Sequence, residues 1–495
     1  MKTPRRAALA VIVLGLSLAC GSARAQLLPG GFPGLPPVGR SFPSQTSIPP
    51  APRLPRASPT VKTPAPLPSP PRLPDLAAPS ATGIASSALD ASGDLAQRAN
   101  EALGLAGDVA DGAVTAVAAA AAPYGEQARA LLRRHPDVLE ADDQGRPTVR
   151  GELLGLGVSA AALDRALAAG FTVRSREAID GLDLAMVVLA PPRRMSGRDA
   201  VKRLRALDPA GRYDFNHVYV ESGGVGATVA AVGGVAPSAK GARIGLVDGS
   251  ALASHPALRT APLTQQAFAP GGARVTAHGT AVASLLVGSA PGFRGAAPGA
   301  ALYVADVYGT TAAGGSALAV ARGLGWLARS GTPVVNISLV GPPNALLEAA
   351  VAALVARGCL VVAAVGNDGP AAGPLYPAAY PGVVAVTAVD PRRRPLPEAG
   401  RGGYVAFAAP GSEMMAAGLD GGFATVRGAS FAAPLVAGRL ARQMSAPDPA
   451  AAARALAALS GEAVDLGKPG RDPVFGRGLV AADLAVRPAS LDARR

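Results

Sequence analysis

Residues 242–250 read ARIGLVDGS. A short, mostly apolar run, Ala242–Val247, ends in a carboxylate, Asp248, and then a Gly-Ser turn. Apolar runs of this length, bounded by turn residues, mark strands buried on both faces. The texture continues outward. Ala301–Val307, Pro333–Leu339, Cys359–Val365 and Val383–Val389 are further Val- and Ala-rich runs bounded by Gly and Pro. Between them, Thr280–Gly288, Leu318–Ala328 and Ala345–Arg357 have helical character. This alternation predicts an α/β domain over residues 242–486, with a mainly parallel sheet between helices.

Three polar side chains stand at the edges of these runs. Asp248 ends a strand, where open α/β sheets place functional groups. His278 lies in AHGTAVASLLVG, with a glycine after it and then a helical run. The chain has four histidines, His135, His217, His255 and His278, and only the last two fall in the α/β region. His255 precedes a proline in a polar loop, which favours His278 as an imidazole base. Ser430 lies in Gly428–Gly438, GASFAAPLVAG, where small neighbours let a substrate backbone approach its hydroxyl. Pro434 is read as marking a helix start, since proline is tolerated in a first turn. Backbone N–H groups at such a start can receive negative charge. Each residue alone also fits a local role, as a cap, a turn residue or a tight loop-to-helix junction.

Together, in the order Asp248, His278, Ser430, the three blocks resemble the signature blocks of the subtilisin-like serine peptidases, the subtilases. An α/β-hydrolase would have GxSxG around the serine, and Gly428-Ala429-Ser430-Phe431-Ala432 fails at its last position. VVNISL (Val334–Leu339) resembles the family's substrate-binding strand, VVAAVGNDG the block carrying the oxyanion asparagine, here Asn367, and LYPA (Leu375–Ala378) the following substrate-side loop. FGRGLVAADLA (Phe475–Ala485) resembles the end of the family's catalytic domain. The resemblance implies that Ser430 attacks the scissile carbonyl, His278 carries the proton, and Asp248 orients the imidazole. It further implies that Asn367 receives the oxyanion, that Ser338-Leu339 and Ala313-Gly314-Gly315 pair with an extended substrate, and that Gly366 leaves room for the side chain in the primary pocket. Three positions depart from the family pattern: Gly249-Ser250 inverts the usual order of hydroxyl residue and Gly, Ala429 replaces a usual Thr, and Val340 replaces a usual Gly and narrows the primary pocket. The enzyme so implied is a serine endopeptidase acting on protein or peptide substrates.

Upstream, residues 146–221 order as β-α-β-β-α-β, a small ferredoxin-like unit. The strands are Thr148–Leu154, Phe171–Arg174, Leu184–Leu189 and Tyr213–Val220; the helices are Ser159–Ala168 and Gly197–Leu207. Subtilases commonly carry such a unit as an inhibitory propeptide, an intramolecular partner. Residues 222–241, rich in Gly, Ala and Ser, read as a flexible linker containing the processing site, and 487–495 as a tail. Residues 1–25 read as a secretory signal. They have a basic start (Lys2, Arg5, Arg6), an apolar run Ala7–Ala19, and Ala23-Arg24-Ala25 before the cut. Lipid attachment at Cys20 is a minor alternative. Residues 26–83 are a Pro-rich, disordered spacer, and 84–134 an Ala-rich helical segment of no assigned chemistry.

Composition narrows the function classes. The net charge is +13, but aromatics make up only 4%, which gives no stacking platform for nucleic acid. No run after the signal reads as a membrane span. Of the two cysteines, Cys20 and Cys359, one would leave with the signal, so no intrachain disulfide is expected. Catalysis of this kind requires no cofactor and no metal. Cysteine and histidine are too scarce for a zinc site, and no EF-hand-like spacing marks calcium, which family members often bind structurally. The expectation is a secreted or periplasmic monomer.

Overall fold

The computed structural model describes residues 122–229 and 238–488. The readings for the signal, the Pro-rich spacer and most of the Ala-rich segment lie outside these residues, as do 230–237 and 489–495.

The described chain opens with a helix, α1 (Tyr124–Arg134), and a short strand, β1 (Leu139–Ala141). An α+β unit follows, made of β2 (Pro147–Leu156), α2 (Ala160–Ala168), β3 (Thr172–Ile179), β4 (Leu184–Ala190), α3 (Gly197–Leu207) and β5 (Arg212–His217). Ser159 caps α2 and Ser196 caps α3, each accepting from a backbone N–H three residues on. β2 lies between β5 and β4, and β4 pairs β3, all antiparallel. Alternate residues serve two cores. Leu153, Val187 and Leu189 face α2 and α3. Leu154, Met186 and Val188 join the core of the larger domain. That double burial explains why β4 is an unbroken apolar run. β3 reaches Ile179, beyond the expected Arg174, with Thr172, Arg174, Arg176 and Ala178 alternating outward.

After β5 come β6 (Val220–Glu221) and β7 (Gly224–Val229). The expectation of a flexible linker fails for 224–229, because β7 pairs antiparallel with β19 (Phe423–Arg427). That pairing is made by backbone groups, which glycine supplies as well as any residue.

The larger domain runs β8 (Arg243–Asp248), β9 (Leu263–Ala267), α4 (Ala277–Val287), the short pair β10 (Ser289–Ala290) and β11 (Phe293–Arg294), β12 (Ala301–Asp306), α5 (Ala317–Arg329), β13 (Val334–Ile337) and β14 (Leu339–Val340). It continues through α6 (Ala345–Ala356), β15 (Leu360–Ala364), β16 (Val384–Val389), β17 (Val405–Pro410), β18 (Met414–Ala417), β19, α7 (Ala429–Ala441) and α8 (Pro449–Glu462). Seven strands form a parallel sheet in the order β17-β16-β15-β13-β8-β12-β9. α4 and α7 pack together, as do α5 and α6. The strand order reverses at β8, and the carboxyl ends of strands at such a point are where open α/β sheets bind ligands. Cys359, just before the amino end of β15, is buried as a small apolar residue, and burial pushes its thiol up to about 12.

The α+β unit docks through the amino ends of α5 and α6. Asn216 accepts from the Leu318 N–H (3.1 Å) and Asp214 from the Ala345 N–H (2.8 Å). A carboxylate at a helix amino end meets unsatisfied N–H groups and the positive end of the helix dipole. Arg322 of α5 also forks onto Glu177 of β3, at 2.6 and 2.8 Å.

Candidate active site

Asp248 and His278 meet at the carboxyl end of β8, and Ser430 stands in the helix packed on that of His278. Asp248, fully buried, takes its place as the last residue of that strand. The Gly249 N–H donates to its Oδ1 (2.8 Å). His278 is the second residue of α4, whose cap, Thr276, accepts from the Gly279 N–H. Its Nδ1 lies 2.9 and 3.1 Å from the two Asp248 carboxylate oxygens. Its ring rests on Phe431, with centroids 5.3 Å apart. Nε2 is buried and has no hydrogen-bond partner among the described residues.

Ser430 stands in the first turn of α7, so its own N–H is one that no helical carbonyl takes up. Its hydroxyl donates to the Ser338 carbonyl (3.0 Å). Pro434 does not start this helix, because α7 already begins at Ala429. A proline there cannot supply the N–H that would bond to the Ser430 carbonyl four residues back. Ser338 fills the gap, its hydroxyl donating to that carbonyl at 2.9 Å. Gly428 before the helix has φ +132°, and a Cβ there would stand 2.8 Å from Asn367 Nδ2. Asn367 accepts from the Ala429 N–H with its Oδ1 (3.1 Å), which aims its Nδ2 into the cleft.

At the departure from the family pattern, the Ser250 hydroxyl donates to Asp306 (2.7 Å), not to Asp248. Asp306 ends β12 beside β8 and also accepts from the Tyr308 and Gly309 N–H groups. His255 is held elsewhere, on the Gly422 carbonyl (2.8 Å).

The segment joining the two domains runs through this cleft. Tyr219 donates its N–H to the Gly315 carbonyl (2.8 Å), and its hydroxyl to the Pro342 carbonyl (2.7 Å). Val220 and Glu221 pair antiparallel with Val340 and Leu339. Ser222 donates its N–H to the Ser338 carbonyl (3.3 Å), and its Oγ accepts from Asn367 Nδ2 (3.1 Å). Gly223 comes next, and a Cβ on it would lie 3.2 Å from the Ser430 Cβ. Beyond it, β7 leaves along β19. The Ser222–Gly223 peptide bond therefore lies against Ser430, with paired backbone on both sides. Of the expected substrate-pairing residues, Ser338, Leu339 and Gly315 bond this segment. Gly314 lets the loop close on the Tyr308 carbonyl, and Ala313 packs beside Val218.

Glu221 was not singled out by sequence reasoning. Its carboxylate, that of Asp248 and a ring nitrogen of His278 lie within 4.8 Å of one another. Burial alone would lower the His278 pKa. Asp248, through its charge and hydrogen bond, and then Glu221 outweigh that, and raise it from 6.5 to about 9. Burial, opposed by His278 and aided by Asp248, raises the pKa of Glu221 itself. No local motif marks Glu221, which meets the histidine only because β6 pairs with β14.

α1 closes the same cleft from the other side. Asp368, next to Asn367, accepts from the Tyr124 N–H (2.8 Å). Gln127 donates to the Glu221 carbonyl (3.3 Å). Tyr124 and Ala128 form one apolar cluster with Val220 and Val340, against which Leu131 and Leu375 pack.

A buried carboxylate on one imidazole nitrogen, a serine within the same pocket and amide donors beside it define a serine hydrolase that works on extended chains. A model of the subtilase family matches residues 239–478. Subtilisin Savinase of Lederbergia lenta is 36% identical over 214 residues, 42% of this chain and 77% of that one. Subtilisin DY of Bacillus licheniformis is 31% identical over 254 residues, 50% of this chain and 90% of that one. Fervidolysin of Fervidobacterium pennivorans, a keratinolytic enzyme related to subtilisin, shares the fold, with a TM-score of 0.57 at 20% identity over 69% of this chain and 62% of its own. The chain belongs to the subtilase family and is a serine endopeptidase.

Proposed function

We propose that this chain is an exported subtilase that matures by cutting its own Ser222–Gly223 bond. One observation carries the reading: residues 219–223 lie in the cleft as a substrate would, with that bond against Ser430. Ser430 Oγ is the nucleophile. It leaves the Ser338 carbonyl for His278 Nε2, which takes its proton and passes it to the departing Gly223 amine. Asp248 fixes the ring with Nδ1 protonated and stabilises the imidazolium. Asn367 Nδ2 and the Ser430 N–H receive the oxyanion. Water then releases Ser222 from the acyl-enzyme. No cofactor takes part. Residues 146–221 serve as the inhibitory propeptide, and residues 1–25 direct the monomeric enzyme out of the cytoplasm.

The test follows intact mass over time for the purified full chain and for Ser430→Ala, each also treated with a fluorophosphonate. The expected result is a new terminus at Gly223 and labelling in the first protein only. Trimming of Ser430→Ala at the same bond, without an added peptidase, would overturn self-cleavage. Labelling without trimming would leave an endopeptidase whose α+β unit is a permanent part.

A further inference from the structure

In the subtilase pattern the glycine before the oxyanion asparagine, here Gly366 with φ +91°, leaves room for the side chain on the acyl side of the scissile bond. The space that this glycine would leave is already occupied. A Cβ on Gly366 would stand 2.6 Å from Leu375 Cδ1 and 3.5 Å from Val340 Cγ1. Val340 is locked in place, and Leu375, half-buried, is anchored through the backbone of the residue after it. Val340 is buried and paired with Val220. Leu375 directly precedes Tyr376, whose N–H and carbonyl both bond Gly341 at 3.0 Å. Tyr124 closes the cluster that holds both side chains. The residue actually seated before the bond is Ser222, one of the smallest, and Asn367 donates to its hydroxyl.

We infer that Leu375, with Val340, closes the primary pocket, so that the enzyme cleaves after small residues (Gly, Ala, Ser) and rejects large apolar and aromatic ones. The inference deepens the self-cleavage reading and rests on it for the identity of the residue before the cut. A ring at that position must displace Leu375 and the tyrosine behind it, and overfilling a packed site is strongly unfavourable. The discrimination against Phe is expected to be at least about 100-fold, since steric exclusion from a rigid pocket exceeds the roughly 10- to 200-fold effect of a single methylene.

The test uses the full chain and reads cleavage at 222–223 by intact mass. Wild type and Ser222→Ala are expected to cut at comparable rates, and Ser222→Phe at least about 100-fold more slowly. Adding Leu375→Ala and Val340→Gly to Ser222→Phe is expected to recover at least tenfold of the loss, as the pocket opens. Circular dichroism and the thermal midpoint identify any variant whose fold has collapsed, and Leu375→Ala alone then replaces the pair. Ser222→Phe cutting at the wild-type rate would overturn the inference. So would a folded, opened variant that recovers nothing. If wild type itself is not cut at this bond, self-cleavage falls. The pocket is then judged by the ratio of kcat/KM for peptides with Ala and with Phe before the scissile bond, and a ratio near one overturns it.

Discussion

Replacing Glu221 by Gln should shift the pH dependence of self-cleavage toward acid. The carboxylates of Glu221 and Asp248 and a nitrogen of His278 lie within 4.8 Å of one another. Two unit charges at that distance, in an effective dielectric of about 20, interact by roughly 3.5 kcal/mol. Glu221 is half-buried, with an edge toward solvent, and shares the imidazole with Asp248, so we take about a third of that value. This amounts to ~1.2 kcal/mol, a little under one pKa unit. His278, raised to about 9 in the uncut chain, would fall to about 8 in the variant. The base must be neutral, so the rate rises with pH through the His278 pKa. Near pH 7 the neutral fraction would climb from about 1% to about 10%, a roughly tenfold faster cut. Well above the His278 pKa, the two proteins should cut alike. Time courses by intact mass, from pH 6 to pH 10, give both midpoints. A midpoint that stays put or moves up would refute the coupling.

Other consequences can be checked in the same preparations. Asn367→Ala should slow self-cleavage by about 100- to 1000-fold, the loss typical of one oxyanion donor, while the fold is retained by circular dichroism. Ser250→Ala removes one donor from the buried Asp306 carboxylate and should cost about 1.5 kcal/mol, seen as a thermal midpoint lowered by a few degrees. The Glu177 carboxyl is opposed by burial, but Arg322 and Ser175 hold it below its usual 4.5. Its stabilising contribution is therefore complete above that value and lost as pH falls through the depressed one. Arg322→Ala should make the docking of the α+β unit less acid-sensitive, by about 0.5 kcal/mol because both partners are partly exposed. The single tryptophan, Trp326, one turn further along α5, reports the change by fluorescence.

Much of this molecule is legible in the chain itself. Strands buried on both faces are apolar runs, unbroken in β15 and polar only at the ends in β8, so their place and type follow from burial alone. The triad blocks are short and local, each carrying its own cap or turn, so their sequence order is enough to find them. Residues whose role depends on distant pairing are a different matter. Gly224–Val229 looks like a linker because its strand partner, β19, lies some 200 residues away along the chain. Glu221 acquires its role from β14, and Ser250 from the neighbouring strand β12. Pro434 looks like a helix start because nothing nearby in sequence reveals that Ser338 supplies the missing donor.

The contact between α1 and Asp368 adds a third handhold of the N-terminal fragment on the catalytic domain. The others are the β6 segment in the substrate groove and the α+β unit on the amino ends of α5 and α6. All belong to the piece that ends at Ser222. When one lets go, the others keep it nearby at a high effective concentration, so rebinding outruns escape. Breaking one peptide bond therefore does not by itself unblock the enzyme. An avid, multivalent leaving piece makes the lag between the cut and full activity a property of dissociation, set independently of the speed of the chemistry.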